Sequence, residues 1–249
     1  MRMTHSTTLK VTCLVALLIT SGCGDSRNAR STSESTRVTA GSDGAGSSST
    51  SGADTTTSSP STSAPPVVGG NISIWPPTGS ALAYPDPVEV ARAFAIEYVG
   101  FVDPVIGMFQ QGDSRSGEVE VRPTESGPAT TVLVRQVGPG DNWSVIGCAT
   151  ASISLSDPTT MSTVESPVSL SGTSTAFEGT VQVLMRDSSG AGALGEGYVT
   201  GGSMGEMGPF QSQLEFSAPT TDSGSLMLYT QSMENGAVWE ASVIGIRFP

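Results

Sequence analysis

Phe210-Gln211-Ser212-Gln213-Leu214-Glu215-Phe216 sets its apolar residues at even positions and glutamine or glutamate at odd ones. Successive side chains of a strand point to opposite faces, so Phe210, Leu214 and Phe216 share one face while Gln211, Gln213 and Glu215 share the other. That is the pattern of a strand with one side in a core. Runs of the same kind recur from Met161 onward, at 167–172, 179–186, 195–200, 226–230 and 237–248, with turn residues between them. Six or seven short strands in about 90 residues predict a β-sandwich over 161–249.

Toward the N-terminus the period changes. Asp86-Pro87-Val88-Glu89 has the form of a helix start, with Asp as N-cap, Pro at the first helical position and an acid in the first turn. Val90, Phe94, Tyr98 and Phe101 follow at helical spacing as a core-facing stripe, and Gly100 suits a C-cap. Asp103-Pro104 suggests one more short helix. Glu118-Val119-Glu120-Val121-Arg122 then alternates strictly, and strands are expected at 131–137 and 143–155. Residues 71–158 therefore read as a small α+β domain, one helix on a three-stranded antiparallel sheet, with folded structure beginning near Trp75. The whole chain is expected to be mainly β.

The first 70 residues have a different character. Arg2 and Lys10 precede or bound an apolar run at 11–20 that has signal-peptide length and is too short to cross a bilayer as a permanent helix. Thr20-Ser21-Gly22-Cys23 follows directly and resembles the lipobox of bacterial lipoproteins. The resemblance implies cleavage between Gly22 and Cys23 and diacylglycerol on the Cys23 thiol, so 1–22 would be a lipoprotein signal peptide. Thr20 departs from the leucine usual in that family. Residues 23–70 are rich in Ser, Thr, Gly and Ala without an aromatic residue, a composition that cannot offset the entropy of ordering. They read as a disordered tether whose span is roughly 35–40 Å.

The sandwich region also carries Ser166-Pro167-Val168-Ser169-Leu170-Ser171-Gly172, Ala176-Phe177-Glu178-Gly179, Met204-Gly205-Glu206-Met207-Gly208-Pro209-Phe210, Tyr229 with Ser232, and Asn235-Gly236. In this order and spacing these resemble the immunoglobulin-like domain of bacterial spore-germination proteins. Asn235 stands where that family often has Asp, and both suit a tight turn. The resemblance implies an add-on module with no catalytic residues to carry over.

Composition narrows the chemistry. The net charge of −12 becomes −14 once Arg2 and Lys10 leave with the signal peptide, which contains no acid. His5 and Lys10, the sole histidine and lysine, leave with it. An acidic surface repels phosphate backbones, so no nucleic-acid partner is expected. Without histidine or lysine the usual serine triad and Ser-Lys dyad cannot form around the serines of 112–117. Cys148 alone cannot supply a zinc site, so neither metal nor cofactor is expected. Gly190-Ala191-Gly192-Ala193-Leu194-Gly195 spells a dinucleotide motif, but a strand and another glycine turn follow it rather than a helix, so a hairpin is expected. Glu118 and Glu120 share a strand face roughly 6.5–7 Å apart, a spacing that suits an inverting glycosidase, although such acids are usually just solvated. Cys148 lies in the apolar Val145-Ile146-Gly147-Cys148-Ala149 run and reads as a buried core residue. Met204, Glu206 and Met207 form the one loop of odd composition. They either meet a partner or fold back onto the core.

Together these features predict a non-catalytic envelope lipoprotein, outside the cell and anchored to its membrane by lipid on Cys23. Its partner is expected to be an envelope protein or wall polymer, in a germination- or envelope-related role. A carboxylate-dependent wall glycan hydrolase and a solute-capture lipoprotein are the alternatives.

Overall fold

The computed structural model describes residues 73–137 and 140–249. The signal peptide at 1–22, the cleavage point at Gly22 and Cys23, and the tether at 23–70 lie outside the described residues. The described residues fall within one compact unit.

Helix α1 (Pro87–Ala93) begins where expected. The Asp86 carboxylate accepts from the Val88 N–H at 2.7 Å and the Glu89 N–H at 3.2 Å, satisfying two of the free donors at the helix start. The helix continues as a π-helical segment, Phe94–Val99, and stops at Gly100 with φ 93. The Gly100 N–H donates to the Ala95 carbonyl at 3.0 Å. Val90, Phe94, Tyr98 and Phe101 are all buried, as their spacing predicts.

Asp103-Pro104 does not start a helix. Asp103 has φ 46, and the chain leaves it as strand β1 (Val105–Asp113). β1 is an edge strand, mostly exposed, with its register broken between Ile106 and Phe109 and again near Asp113. It therefore lacks the alternation that marks a half-buried strand. β2 (Ser116–Arg122) and β3 (Thr130–Gln136) follow as antiparallel neighbours. The expected strand at 143–155 is two strands, β4 (Trp143–Thr150) and β5 (Ile153–Asp157), separated by a turn at Ala151 and Ser152. The sheet beneath the helix thus has four strands in this half, not three.

The remaining strands are β6 (Val168–Ala176), β7 (Thr180–Asp187), β8 (Ala193–Thr200), the short β9 (Gly202–Ser203), β10 (Gly208–Leu214), β11 (Ser223–Gln231) and β12 (Val238–Arg247). One sheet runs in the order β1-β2-β3-β4-β12-β11-β7-β8, so the strands of the two halves are joined where Cys148 of β4 faces Val243 of β12. A second layer is formed by β5, β6 and β10, with β5 entering it from the end of β4.

Two apolar clusters follow from this order. Alternate residues of β7, β11 and β12 feed different ones. Leu184, Met227, Ala241 and Val243 join Val90, Phe94, Tyr98 and Phe101 under the helix. Val183, Met185, Leu226, Leu228 and Ile246 join Ile153, Val168, Leu170, Phe210 and Leu214 from the second layer. These three strands are covered on both faces, which explains the unbroken apolar run Leu226-Met227-Leu228. Phe210 and Leu214 point inward and Gln211 and Gln213 outward, as their alternation predicts.

Trp75 adds a short bridge beside the first half of β4. Its carbonyl accepts from the Val145 N–H at 2.7 Å, and its ring meets Tyr98 edge-on at 6.1 Å.

Candidate functional site: a groove at one end of the sandwich

Three loops meet at one end of the β6–β12 region. The turn between β6 and β7 carries Phe177 and Glu178 and closes at Gly179 with φ 74. The loop between β9 and β10 carries Met204 with φ 54 and Gly205 with φ 86. The loop between β11 and β12 carries Met233 and Glu234. It is held by the Asn235 side-chain oxygen accepting from the Ala237 N–H at 3.0 Å, and by the Ser232 N–H donating to the Ala237 carbonyl at 2.8 Å. The first two loops are tied together, because the Met204 N–H donates to the Ala176 carbonyl at 3.3 Å and the Gly201 N–H to the Gly179 carbonyl at 2.9 Å. Gly202 is required by close approach: a Cβ there would lie 2.0 Å from the Glu206 carbonyl oxygen.

A register shift completes the arrangement. Thr230 of β11 faces Glu240 of β12, but the next residue, Gln231, faces Val238. Trp239 is the extra residue of a β-bulge. Bulges re-aim a side chain, and here Trp239 and Glu240, neighbours that strict alternation would send to opposite faces, both line one cavity.

That cavity has a volume of about 740 Å³, within the roughly 300–1,000 Å³ common for binding pockets. Its apolar lining includes Phe177, Met204, Met233 and Trp239. Phe177 is 59% exposed, Met204 75% and Met233 63%, so these side chains stand at the mouth rather than in the core. Its charged lining is Glu178, Glu234 and Glu240, with no Lys, Arg or His. Glu240 is buried to 4% exposure and accepts from the Thr150 hydroxyl at 2.5 Å and the Thr230 hydroxyl at 3.4 Å. Thr175 also belongs to the lining, while its hydroxyl oxygen is buried and has no hydrogen-bond partner.

Of the loop residues singled out in the sequence, Met204 lines the groove, while Glu206 and Met207 lie on the same exposed loop outside the lining. Met204 and Met207 do not fold back onto the core. Nothing in the sequence alone marks Phe177, Met233, Trp239 and Glu240 as contact residues. Phe177 was visible only as part of the family-like pattern, and the signal for the others is the recurrence of turn residues after β6, β9 and β11. Cys23 and Gly22 lie outside the described residues.

Gly190 and Gly192, with φ 75 and 122, turn the chain between the antiparallel strands β7 and β8, so the dinucleotide-like spelling is a hairpin. Residues 112–117 are the tip of the β1–β2 hairpin, where the Asp113 carboxylate accepts from the Arg115 N–H at 2.7 Å. Glu120 is ion-paired with Arg122 at 2.7 Å, and Glu118 is exposed on the same strand. Cys148 is buried, its thiol donating to the Ala241 carbonyl at 3.5 Å, and burial pushes its pKa up to about 12. Among the described residues no group of three or more His, Cys, Asp or Glu is placed to hold a metal ion.

Searches among curated proteins and among solved structures found no match. A family model does match: Gmad2, the immunoglobulin-like domain of bacterial spore germination, aligns with residues 152–237, about a third of the chain. The matched segment opens at β5, the strand that leaves β4 for the second layer. The two-layered part of this chain is therefore similar to the immunoglobulin-like domain of bacterial spore germination.

Proposed function

We propose that this chain is a non-catalytic binding module of the bacterial cell envelope, held at the outer face of the membrane by lipid on Cys23. Residues 24–70 act as the tether, and the folded part meets an envelope protein or wall polymer in a germination- or envelope-related process. The observation that carries the reading is the similarity of 152–237 to an immunoglobulin-like germination domain. The open groove at the loop end of that segment supports it, since loops at one end of a sandwich are a common place for recognition. The lipobox-like Thr20-Ser21-Gly22-Cys23 after an apolar run supports the anchor.

The hydrolase alternative rests on Glu118 and Glu120, and the Arg122 guanidinium occupies one of these carboxylates. The solute-capture alternative calls for a pocket between the two halves, whereas the 740 Å³ groove draws all its lining from 175–240.

The test is intact mass and membrane fractionation of the full chain made in a bacterial host, beside Cys23→Ala. Lipid mass and membrane retention for the parent, with release of the variant, is the expected result. Release of both without lipid mass would remove the anchor from the reading.

A further inference from the structure

We infer that the groove is a docking site for a partner polypeptide segment that presents a lysine or arginine side chain beside an apolar one. The inference rests on the binding-module reading and adds the chemistry of the partner; it does not depend on the lipid anchor. Phe177, Met204 and Met233 hold large apolar surfaces in water around a concave site, and Trp239 is turned into it by the bulge in β12. Such surface gains by covering with another apolar side chain, and methionines adapt their shape to it. Every charge in the lining is negative, from Glu178, Glu234 and Glu240. The chain as a whole carries −12. A cationic side chain therefore meets opposite charge and no repelling base, and the faces of Phe177 and Trp239 attract cations as well. An anionic ligand would find no cationic donor in the lining.

Contact surface comes from three separate loops, after β6, β9 and β11. That spread suits an extended segment with several side chains better than a single small cation.

The test pans the immobilised full-length chain against a display library of random twelve-residue peptides. Enriched sequences are expected to pair Lys or Arg with a neighbouring apolar residue. A synthetic copy of the dominant sequence should bind the doubly substituted Phe177→Ser, Met233→Ser chain at least about tenfold more weakly. It should bind Glu178→Gln, Glu234→Gln more weakly too, with a flatter salt dependence. All four side chains are exposed, so an unchanged urea midpoint shows that these variants keep the fold.

Enrichment of peptides without basic residues overturns the inference. So does binding untouched by the Phe177/Met233 substitutions, although the binding-module reading then stands with its site elsewhere. Absence of any enrichment overturns polypeptide docking itself. Saturable binding of tetrapropylammonium in place of any peptide would make the occupant a small cation. A dimer lost on Phe177→Ser would make it a second copy of the chain. Either result removes the partner segment.

Discussion

The Arg186 guanidinium lies 4.8 Å from the centre of the Tyr98 ring and donates to the Tyr98 carbonyl at 2.8 Å. Arg186 belongs to β7 and Tyr98 to the π-helical segment after α1, so this contact fastens the helix to the strands of the other half. The Tyr98 hydroxyl shares a hydrogen bond with Ser225 of β11, which adds a second fastening.

Arg186→Met keeps much of the apolar stem and removes the charge and the hydrogen bond. It should destabilise by about 1.5–3 kcal/mol. Tyr98→Phe keeps the ring and leaves Ser225 with one partner fewer, at about 1–2 kcal/mol. Urea unfolding of the single and double variants checks both. A loss under about 0.5 kcal/mol for Arg186→Met, the scale of an ordinary surface change, would show that the contact contributes no stability.

Asp187 gives a pH prediction. Burial alone pushes its pKa up, but hydrogen bonds from the Ser189 hydroxyl at 2.5 Å, the Thr220 hydroxyl at 2.7 Å and both residues' N–H groups outweigh burial and hold it below the ordinary carboxylate value. A carboxyl whose pKa is lowered by folding stabilises fully above its unfolded value. That contribution is lost as pH falls through the lower, folded value. Asp187→Asn should therefore be less stable than the parent at pH 7, by about 1–3 kcal/mol, and the gap should shrink on acidification below the usual carboxylate range. A gap independent of pH would contradict this.

The Cys148 thiol should resist alkylation. With its pKa raised to about 12 by burial, almost no thiolate forms near neutrality, and the sulfur is shielded. In a chain with Cys13→Ala and Cys23→Ala, iodoacetamide at pH 8 should label Cys148 rapidly in urea and negligibly in the native state. Rapid native labelling would place the thiol at an accessible site.

Gly100→Ala separates backbone strain from packing. A Cβ at this position meets only Val238 Cγ2, at 3.8 Å, so there is room for it. The cost is that of holding alanine at φ 93, about 1–2 kcal/mol. Phe94→Ala, which empties a fully buried site under the helix, should cost about 3–5 kcal/mol. Thermal or urea unfolding should rank the two in that order.

What the sequence revealed depended on how local each signal was. Asp86, the Val90–Phe94–Tyr98 stripe and Gly100 specify a helix from within their own turn or two, and the structure keeps all of them. Phe210 and Leu214 declare their strand because only one of its faces is buried. β1 leaves no mark in the sequence because an exposed, bulged edge has no inward face to repeat. The turn at Ala151-Ser152 is equally silent, since it contains neither glycine nor proline. Within the groove, Met204 stood out by composition. Trp239 did not, since its direction is set by a register shift against β11 that only the paired strands define.

Strand β12 lies between β4 and β11, although in sequence it comes after both. As a nascent chain emerges, β4 waits through nearly the whole of the later strands for its neighbour. Neither apolar cluster can close until 238–247 arrives, because Ala241 and Val243 complete one and Ile246 the other. Such long-range closure is slow compared with helix or hairpin formation. Strand β12 therefore acts as a shared keystone: a substitution that loosens it is felt in the helix-covered half and in the two-layered half together.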